Sequence, residues 1–213
     1  MKFLVVSDIH GNKSVSEWIN SVAEREDVDF ILILGDITDF GPKEVADEIL
    51  KAIKRDTYSI PGNADPHSVL ESISAYSMDM HGKTADIDGF RLVGLGGSNP
   101  TPFNTPFELH EDTIYNMLRP ISKEGMILMV HAPPYGVNDM IPAGINVGSK
   151  SIQKIVKEFR PILVLSGHIH EDYGIKNIDG ITYINPGPAL DNMYALVEMD
   201  QGAIRAELFT VSS

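Results

Sequence analysis

Polar residues that can bind metal ions follow five apolar segments of the sequence, one group after each segment. They are carboxylates, histidines and one asparagine: Asp8, His10, Asp36, Asn63, His131, His168 and His170. The sequence has no cysteine, which excludes thiolate ligands, thiol nucleophiles and disulfides. Imidazole, carboxylate and amide oxygen together suit Mn, Fe, Zn, Ni or Co better than Ca or a purely structural zinc. The pattern therefore predicts a transition-metal centre.

The apolar segments before these residues are predicted to be buried strands, with helices between them. Continuous apolar runs are typical of strands covered on both faces, and apolar residues three and four apart predict helices. The order is that of an α/β domain, in which ligands bind beyond the carboxyl ends of the strands. The predicted strands are Met1–Ser7, Val28–Leu34, Thr57–Ile60, Met126–Val130 and Ile162–Leu165, and the predicted helices are Val15–Ala23, one from Pro42, Glu108–Leu118 and one capped by Ser149.

The rest of the chain predicts further strands and long loops. Asp88-Gly89 indicates a hairpin between Thr84–Ile87 and Phe90–Leu95. The tail indicates a second, more antiparallel sheet with strands at Tyr173–Ile178, Ile181–Ile184, Met193–Glu198 and Ala203–Thr210. The absence of repeats and linkers predicts one domain over residues 1–213.

Each polar residue also has a purely structural explanation. Asp8 could cap a helix that starts near Asn12, Asn63 could serve only the turn after Pro-Gly, and His131 could be a satisfied structural histidine. Gly167-His168-Ile169-His170 is the most specific segment, because an extended chain would turn both imidazoles to the same side. Five coincidences at the same end of the strands are much harder to explain without a shared site.

The predicted ligands outnumber those that one ion takes. Clustered carboxylates repel one another unless cations lie between them. We therefore expect two ions with one bridging carboxylate. Paired ions roughly 3.5–4 Å apart can activate a bridging water and bind a phosphoryl oxygen.

In sequence order, these residues resemble the five motifs of the calcineurin-like metallophosphoesterases. The resemblance runs from residue 7 to about residue 188, closes with Asn185-Pro186-Gly187, and implies a four-layer α/β/β/α sandwich of two mixed sheets flanked by helices. The matching segments are Asp8-x-His10, Gly35-Asp36-x-x-Asp39, Gly62-Asn63, His131 and Gly167-His168-x-His170.

The resemblance also implies roles for these residues. One ion would be held by Asp8, His10, Asp36 and His170, and Asp36 would bridge to a second ion held by Asn63, His131 and His168. A bridging hydroxide would attack phosphorus, with His10, Asp36 and Asn63 as the catalytic residues. Asp39 would lie next to the ligands, and Asn12 is placed to reach a substrate oxygen. Separately from the resemblance, the loops that contain Ser98, Asn99 and Tyr135 are candidates either for the wall of the substrate pocket or for a subunit contact.

Ala64 departs from the pattern of many members, which have a histidine after Gly-Asn. That histidine is thought to stabilise the transition state or to protonate the leaving group. A general acid contributes typically 10²–10⁴-fold, so we expect modest turnover that favours good leaving groups, such as those of activated aryl phosphodiesters. His67 is close enough to be a substitute, but a surface histidine is the simpler interpretation.

The composition narrows the function further. The net charge of -13 and the lack of a basic stripe disfavour nucleic acid and anionic membranes as partners. We expect a dinuclear phosphoesterase, more specifically a phosphodiesterase, that acts on a small phosphate ester. The alternatives are a nuclease of the same superfamily and a non-catalytic scaffold. No apolar run reaches the ~20 residues of a membrane span, and the predicted location is the cytoplasm; a homo-oligomer is left open.

Overall fold

The computed structural model of the chain describes residues 1–200 and 202–211. It contains two six-stranded sheets that lie face to face between two layers of helices, which confirms the predicted four-layer sandwich. The helices are α1 (Val15–Arg25), α2 (Lys43–Ala52), α3 (Val69–Tyr76), α4 (Glu111–Leu118) and α5 (Lys150–Phe159).

The first sheet combines parallel strands with an antiparallel edge. Its strands are β1 (Lys2–Val6), β2 (Phe30–Ile33), β3 (Thr57–Ser59), β4 (Met78–Asp79), β11 (Met193–Asp200) and β12 (Ala203–Thr210). Their order across the sheet is β12-β11-β1-β2-β3-β4. The run from β1 to β4 is parallel, and β11 and β12 are antiparallel.

The second sheet has a parallel centre and two antiparallel edges. Its strands are β5 (Lys83–Ile87), β6 (Phe90–Leu95), β7 (Ile127–Val130), β8 (Leu163–Leu165), β9 (Gly174–Ile178) and β10 (Ile181–Asn185). Their order is β5-β6-β7-β8-β10-β9, in which the hairpins β5–β6 and β9–β10 form the edges.

Strand β1 shows why the central strands are apolar throughout. Leu4 and Val6 face the core beneath the first three helices, whereas Phe3 and Val5 face the core between the two sheets. A strand that is covered on both faces must be apolar at every position. Burying each such side chain is worth about 1.5–3 kcal/mol. A third core lies between the second sheet and helices α4 and α5.

The parallel strands end at the same level, and this places the polar residues at one edge of the sandwich. Val6 of β1 pairs with Ile33 of β2, which in turn pairs with Ser59 of β3. In the second sheet, Met129 of β7 pairs with Leu165 of β8. The five loops that follow these strands carry the predicted metal ligands.

The structure differs from the sequence prediction in the tail. The tail does not form a separate sheet: β9 and β10 complete the second sheet, and β11 and β12 extend the first. This arrangement arises because β1 still has a free edge, which β11 covers in antiparallel orientation. The prediction also lacked α3 and β4, of which β4 has only two residues and is too short to form a recognisable pattern.

Most other elements agree with the predictions to within a few residues. Helix α4 begins at Glu111 rather than Glu108, and Pro42 occupies the position before the first residue of α2. Ser149 caps α5 as predicted, because its side chain accepts a hydrogen bond from the Ile152 N–H. Within residues 1–200 and 202–211, none of the helices has the length and apolar character needed to cross a membrane.

Candidate metal centre

Six of the seven predicted ligands come together in two groups of three. The outer group is Asp8, His10 and His170, and the inner group is Asp36, His131 and His168. Within each group, the potential ligand atoms all lie within 4.8 Å of one another. The other three histidines, His67, His81 and His110, belong to neither group. Each group thus has the residue types and the compactness of a site for one ion.

Asp36 lies between the two groups. Its Oδ2 is 3.7 Å from His10 Nε2 of the outer group, and its Oδ1 is 3.5 Å from His131 Nε2 of the inner group. Each oxygen of one carboxylate therefore faces a different group. A carboxylate in this position can contribute an oxygen to each of two ions.

Asn63, the seventh predicted ligand, adjoins the inner group. Its Oδ1 is 2.8 Å from His131 Nε2, and the opposite ring nitrogen, Nδ1, is 2.8 Å from the Leu34 carbonyl. A carbonyl can only accept, so Nδ1 donates to Leu34 and Nε2 faces the inner group. Fixing a histidine through its second nitrogen in this way is typical of metal sites.

The backbone is strained where several of these side chains leave it. Asp8, His10, Asp36 and His168 have φ values of 58°, 47°, 49° and 67°. Residues other than glycine rarely adopt this left-handed conformation, and such positions cluster at functional sites at a cost of about 1–3 kcal/mol each. Four of the seven predicted ligands therefore share this uncommon conformation.

Two glycines, Gly62 and Gly167, allow neighbouring loops to approach each other closely. A Cβ atom at Gly62 would overlap the side chain of Asp36, and one at Gly167 would overlap the side chains of Ser7 and Asp8. Backbone–backbone hydrogen bonds join the first two loops, for example from the Asp8 N–H to the Gly35 carbonyl at 3.0 Å. The carboxylates can reach the centre only because these glycines let the loops approach.

The chain from His168 to His170 is not extended, which differs from the conformation assumed from the sequence. The left-handed backbone at His168 and the 3₁₀ turn that starts at His170 send the two rings into different groups. Asn185 supports this turn, because its Nδ2 donates to the Ile169 carbonyl at 2.8 Å. The Asn185-Pro186-Gly187 segment thus lies against the site.

The histidines of the inner group have opposite pKa shifts. Burial disfavours the charged form of both, but the neighbouring Asp36 carboxylate outweighs burial at His131 and raises its pKa to about 9. At His168, burial and the charge of His131 lower the pKa to about 4. In the metal-free protein at neutral pH, His131 is therefore in the charged, doubly protonated form, and His168 is neutral.

The carboxylates of both groups are ionised. Burial opposes ionisation of Asp8, but hydrogen bonding to His170 and the charge of His131 hold its pKa below the usual value. Burial also opposes ionisation of Asp36, and His131 lowers its pKa in the same way. The Asp8 contact in turn raises the pKa of His170. The negative charges of Asp8 and Asp36 are thus balanced by protons on the neighbouring histidines, which these histidines can release.

The additional predicted residues occupy varied positions. Asp39 Oδ1 is 4.0 Å from His10 Nδ1, at the edge of the outer group. Asn12 Oδ1 accepts hydrogen bonds from the backbone and hydroxyl of Ser14, ahead of α1. The Ser98 hydroxyl donates to the Asn99 carbonyl, and Asn99 Nδ2 donates to the Val147 carbonyl. Tyr135 lines a separate cavity of about 270 Å³ that none of the predicted ligands lines.

Two alternative interpretations from the sequence have structural outcomes. Asp8 does not cap α1, whose cap position is Ser14; its carboxylate instead accepts from the His168 N–H at 3.2 Å. His67 is an exposed residue whose ring packs 4.1 Å from that of Phe107. It belongs to neither ligand group.

The position of the absent histidine is closed to solvent. Ala64 is only 3% exposed, and its N–H donates to Asp36 Oδ1 at 2.8 Å. Sequence reasoning missed the residue that follows, Asp65, which is fully buried beneath the same turn. Burial and the charge of Asp36 raise the pKa of Asp65 to about 6. Its only sequence signal is a carboxylate two residues after a predicted ligand.

Comparison with known proteins agrees with this geometry. The family model described as calcineurin-like phosphoesterase matches residues 1–172. The chain belongs to the calcineurin-like phosphoesterase family. The match includes all five loops with the predicted ligands. Membership in this family makes the protein a metal-dependent phosphoester hydrolase by class and accounts for two compact groups of ligand-type side chains.

The chain is similar to two curated proteins in sequence and to a solved structure in fold. The chain is 35% identical over 198 residues to the uncharacterized protein MJ1162 of Methanocaldococcus jannaschii, covering 88% of each chain. It is 25% identical over 152 residues to a probable cyclic nucleotide phosphodiesterase of Synechococcus, covering 68% of this chain and 59% of that protein. The solved structure of an archaeal phosphodiesterase superposes with a TM-score of 0.59 at 14% identity, covering 98% and 100% of the two chains.

Proposed function

We propose that this protein is a phosphodiesterase that uses two divalent transition-metal ions to hydrolyse a small phosphate ester. The observation that carries the proposal is the position of Asp36, whose two oxygens face two different groups of ligand-type side chains. One ion would be held by Asp8, His10, Asp36 and His170, and the other by Asp36, Asn63, His131 and His168.

The side chains fit such ions for an electrostatic reason. Asp8 and Asp36 are both buried and ionised, and the charge of each disfavours ionisation of the other. Buried carboxylates this close need compensating positive charge. In the described residues, that charge comes from histidines alone, whose protons a metal ion can replace.

The chain itself contributes position and charge. When bound, two such ions supply an activated water and positive charge for the phosphoryl oxygens. The backbone holds Asp8, Asp36 and His168 in strained conformations, which pre-orients their ligand atoms. The Leu34 carbonyl holds the proton of His131 at Nδ1 and leaves Nε2 for the centre.

A diester fits this site better than a monoester. The carboxylates Asp8 and Asp36 make ion pairs with histidines, and in the described residues no lysine or arginine pairs with them. Arginine is the usual partner of a dianionic phosphate. A phosphodiester carries one negative charge less, so it needs less compensation. The probable phosphodiesterase from Synechococcus supports the same preference.

Ala64 further limits the substrate. The chain has no histidine at this position, and Ala64 is buried, so no side chain there can protonate the leaving group. Good leaving groups such as aryloxides do not need this proton. We expect kcat to fall steeply as the leaving-group pKa rises across a series of aryl phosphodiesters, and His67→Ala to leave the rate unchanged. A flat dependence, with chemistry limiting, would contradict this substrate preference.

The proposal is tested by metal analysis and a paired assay. The purified protein is stripped of metal, reloaded with Mn, Ni, Co or Zn, and analysed for bound metal. Hydrolysis of bis(4-nitrophenyl) phosphate is then compared with that of 4-nitrophenyl phosphate. We expect two ions per chain and a higher kcat/KM for the diester. A higher value for the monoester would make the protein a phosphatase, and no metal-dependent turnover would favour a scaffold.

A further inference from the structure

Asp65 is a buried carboxylate that joins two of the loops at the metal centre. It is fully buried and accepts four hydrogen bonds. Its Oδ2 accepts from the N–H groups of Ile37 at 3.1 Å and Gly62 at 2.8 Å. Its Oδ1 accepts from the N–H and the hydroxyl of Thr38, at 2.7 and 2.8 Å. One side chain thus satisfies donors from two different loops.

These donors stand next to two predicted ligands. Ile37 and Thr38 directly follow Asp36, and Gly62 directly precedes Asn63. Oδ2 of Asp65 therefore links the N–H of Ile37, which follows Asp36, to the N–H of Gly62, which precedes Asn63. Between the same loops, the Ala64 N–H donates to Asp36 Oδ1, and the Phe40 N–H donates to the Ala64 carbonyl. Asp65 is the one carboxylate of this network that belongs to neither ligand group.

We propose that Asp65 is a positioning residue that fixes Asp36 and Asn63 relative to each other, so that the inner group can bind its ion. This inference rests on the proposed function, in which both residues contact that ion. Metal sites require ligand atoms to be held within about 0.5 Å of the productive geometry. Two ligands on separate loops meet this requirement only if the loops are joined.

The chemistry of the position supports this role. Taking a carboxylate out of water costs several kcal/mol, and apolar residues of similar volume often stabilise a protein equally well or better. Simple packing of the two loops would therefore not require a charged residue. A carboxylate with several acceptor sites can bind convergent N–H groups from two directions, which an apolar side chain cannot do.

The variant Asp65→Asn tests the role of the carboxylate. It keeps the shape but, whichever way the amide turns, places an NH₂ group against at least one backbone N–H donor, which weakens the contacts that Asp65 makes with the two loops. Metal-stripped protein is titrated with Mn²⁺ by calorimetry, and electron paramagnetic resonance shows whether two bound ions are magnetically coupled. We expect the affinity of one binding step to fall about 10–100-fold, the range for residues that orient metal ligands, and the coupled signal to require correspondingly more Mn²⁺.

A matched control separates positioning from general stability. Glu111 also binds a hydroxyl and two backbone N–H groups, those of Ser149, Lys150 and Ser151, but it belongs to neither ligand group. We expect Glu111→Gln to lower the melting temperature and to leave both Mn²⁺ affinities unchanged. If Asp65→Asn does not fold by circular dichroism, Thr38→Val replaces it, because this change removes the hydroxyl donor and leaves the Asp65 carboxylate. Its expected effect is a loss of a few-fold in the same binding step.

The outcomes distinguish this inference from the function on which it rests. Wild-type protein that binds fewer than two Mn²⁺ ions would overturn the dinuclear function. Wild-type protein with two ions, together with a folded Asp65 or Thr38 variant that keeps both affinities and the coupled signal, would overturn the positioning role alone. A variant with lower stability but unchanged affinities would also overturn it, since Asp65 would then be merely structural.

Discussion

The inner and outer groups use similar side chains in different surroundings. In the outer group, the side chains of His10 and His170 are 19% and 37% exposed. In the inner group, His131 is fully buried, and its two ring nitrogens contact the Leu34 carbonyl and Asn63 Oδ1. Both outer histidines are partly exposed, whereas in the inner group only His168 is, because His131 is fully buried. The inner group therefore has one histidine that is held in place before an ion binds, and the outer group has none.

This difference teaches how two sites of similar composition can behave differently. A ligand set that is fixed before binding loses little conformational freedom when the ion arrives, so its affinity is higher. A buried ion also leaves more slowly than one near solvent. We therefore expect the inner group to bind its ion more tightly and the outer group to exchange its ion first.

Asp36→Asn should have the largest effect, because it affects both groups at once. The change removes the negative charge that faces His10 on one side and His131 on the other. We expect kcat/KM for bis(4-nitrophenyl) phosphate to fall by more than about 100-fold, since even residues behind metal ligands cost 10–100-fold. Metal analysis should show loss from both sites. Full activity with two bound ions would contradict the bridging position of Asp36.

A pair of matched substitutions should separate the two groups. We expect His131→Gln to remove the tighter ion and to lower the free energy of unfolding by about 1–3 kcal/mol, because the Leu34 carbonyl loses its buried donor. His170→Gln should weaken the other ion by about 10–100-fold, and excess Mn²⁺ should restore most of its activity. Calorimetry and a Mn²⁺ dependence of kcat check both results. Equal rescue of the two variants would mean that the groups are equivalent.

Proton release on binding should follow from the pKa of His131. Because its folded pKa of about 9 lies above the usual 6.5, protonated His131 stabilises the metal-free protein fully below pH 6.5, and this contribution is lost as the pH rises through 9. Binding at pH 7 must therefore release about one proton from the inner group, and the apparent affinity should rise about tenfold per pH unit between 7 and 9. Calorimetry in buffers of different ionisation enthalpy measures this release.

The pKa of His168 makes a contrasting contribution. Its folded pKa of about 4 lies below the usual value. Neutral His168 therefore contributes stability above pH 6.5, and this contribution is lost as the pH falls from 6.5 through 4. It should release no proton at pH 7. Release of two protons from the inner group would mean that His168 is also protonated in the metal-free protein.

The sequence predicted which residues lie at the site because chemistry and strand position coincide there. Asp8, Asp36 and His131 each follow a continuous apolar run, and parallel strands bring their carboxyl ends to one edge. The α/β class followed from the same alternation of strands and helices, whereas the four-layer sandwich followed from the family resemblance. These predictions depend on local patterns, which a single sequence contains.

Features that depend on contacts between distant segments were not predictable in this way. The backbone at His168 is left-handed, and His168 and His170 belong to different ligand groups, although the sequence alone favours an extended chain. The pairing of β11 with β1 depends on a free sheet edge that no local pattern reveals. The contacts of Asp65 could not be predicted, because three of its four hydrogen-bond donors belong to Ile37 and Thr38, which are distant from it in the sequence.

Asp39→Ala should have the smallest effect and tests the boundary of the outer group. The Asp39 side chain is 64% exposed, and its Oδ1 is 4.0 Å from His10 Nδ1. Even a fully charged pair at an exposed position is worth at most about 1 kcal/mol, so we expect kcat/KM to fall by less than about fivefold. The Mn²⁺ affinity of the inner group should stay unchanged, because the histidine that Asp39 contacts, His10, belongs to the outer group. A loss as large as that of His170→Gln would make Asp39 a member of the outer group and would extend that group further into solvent.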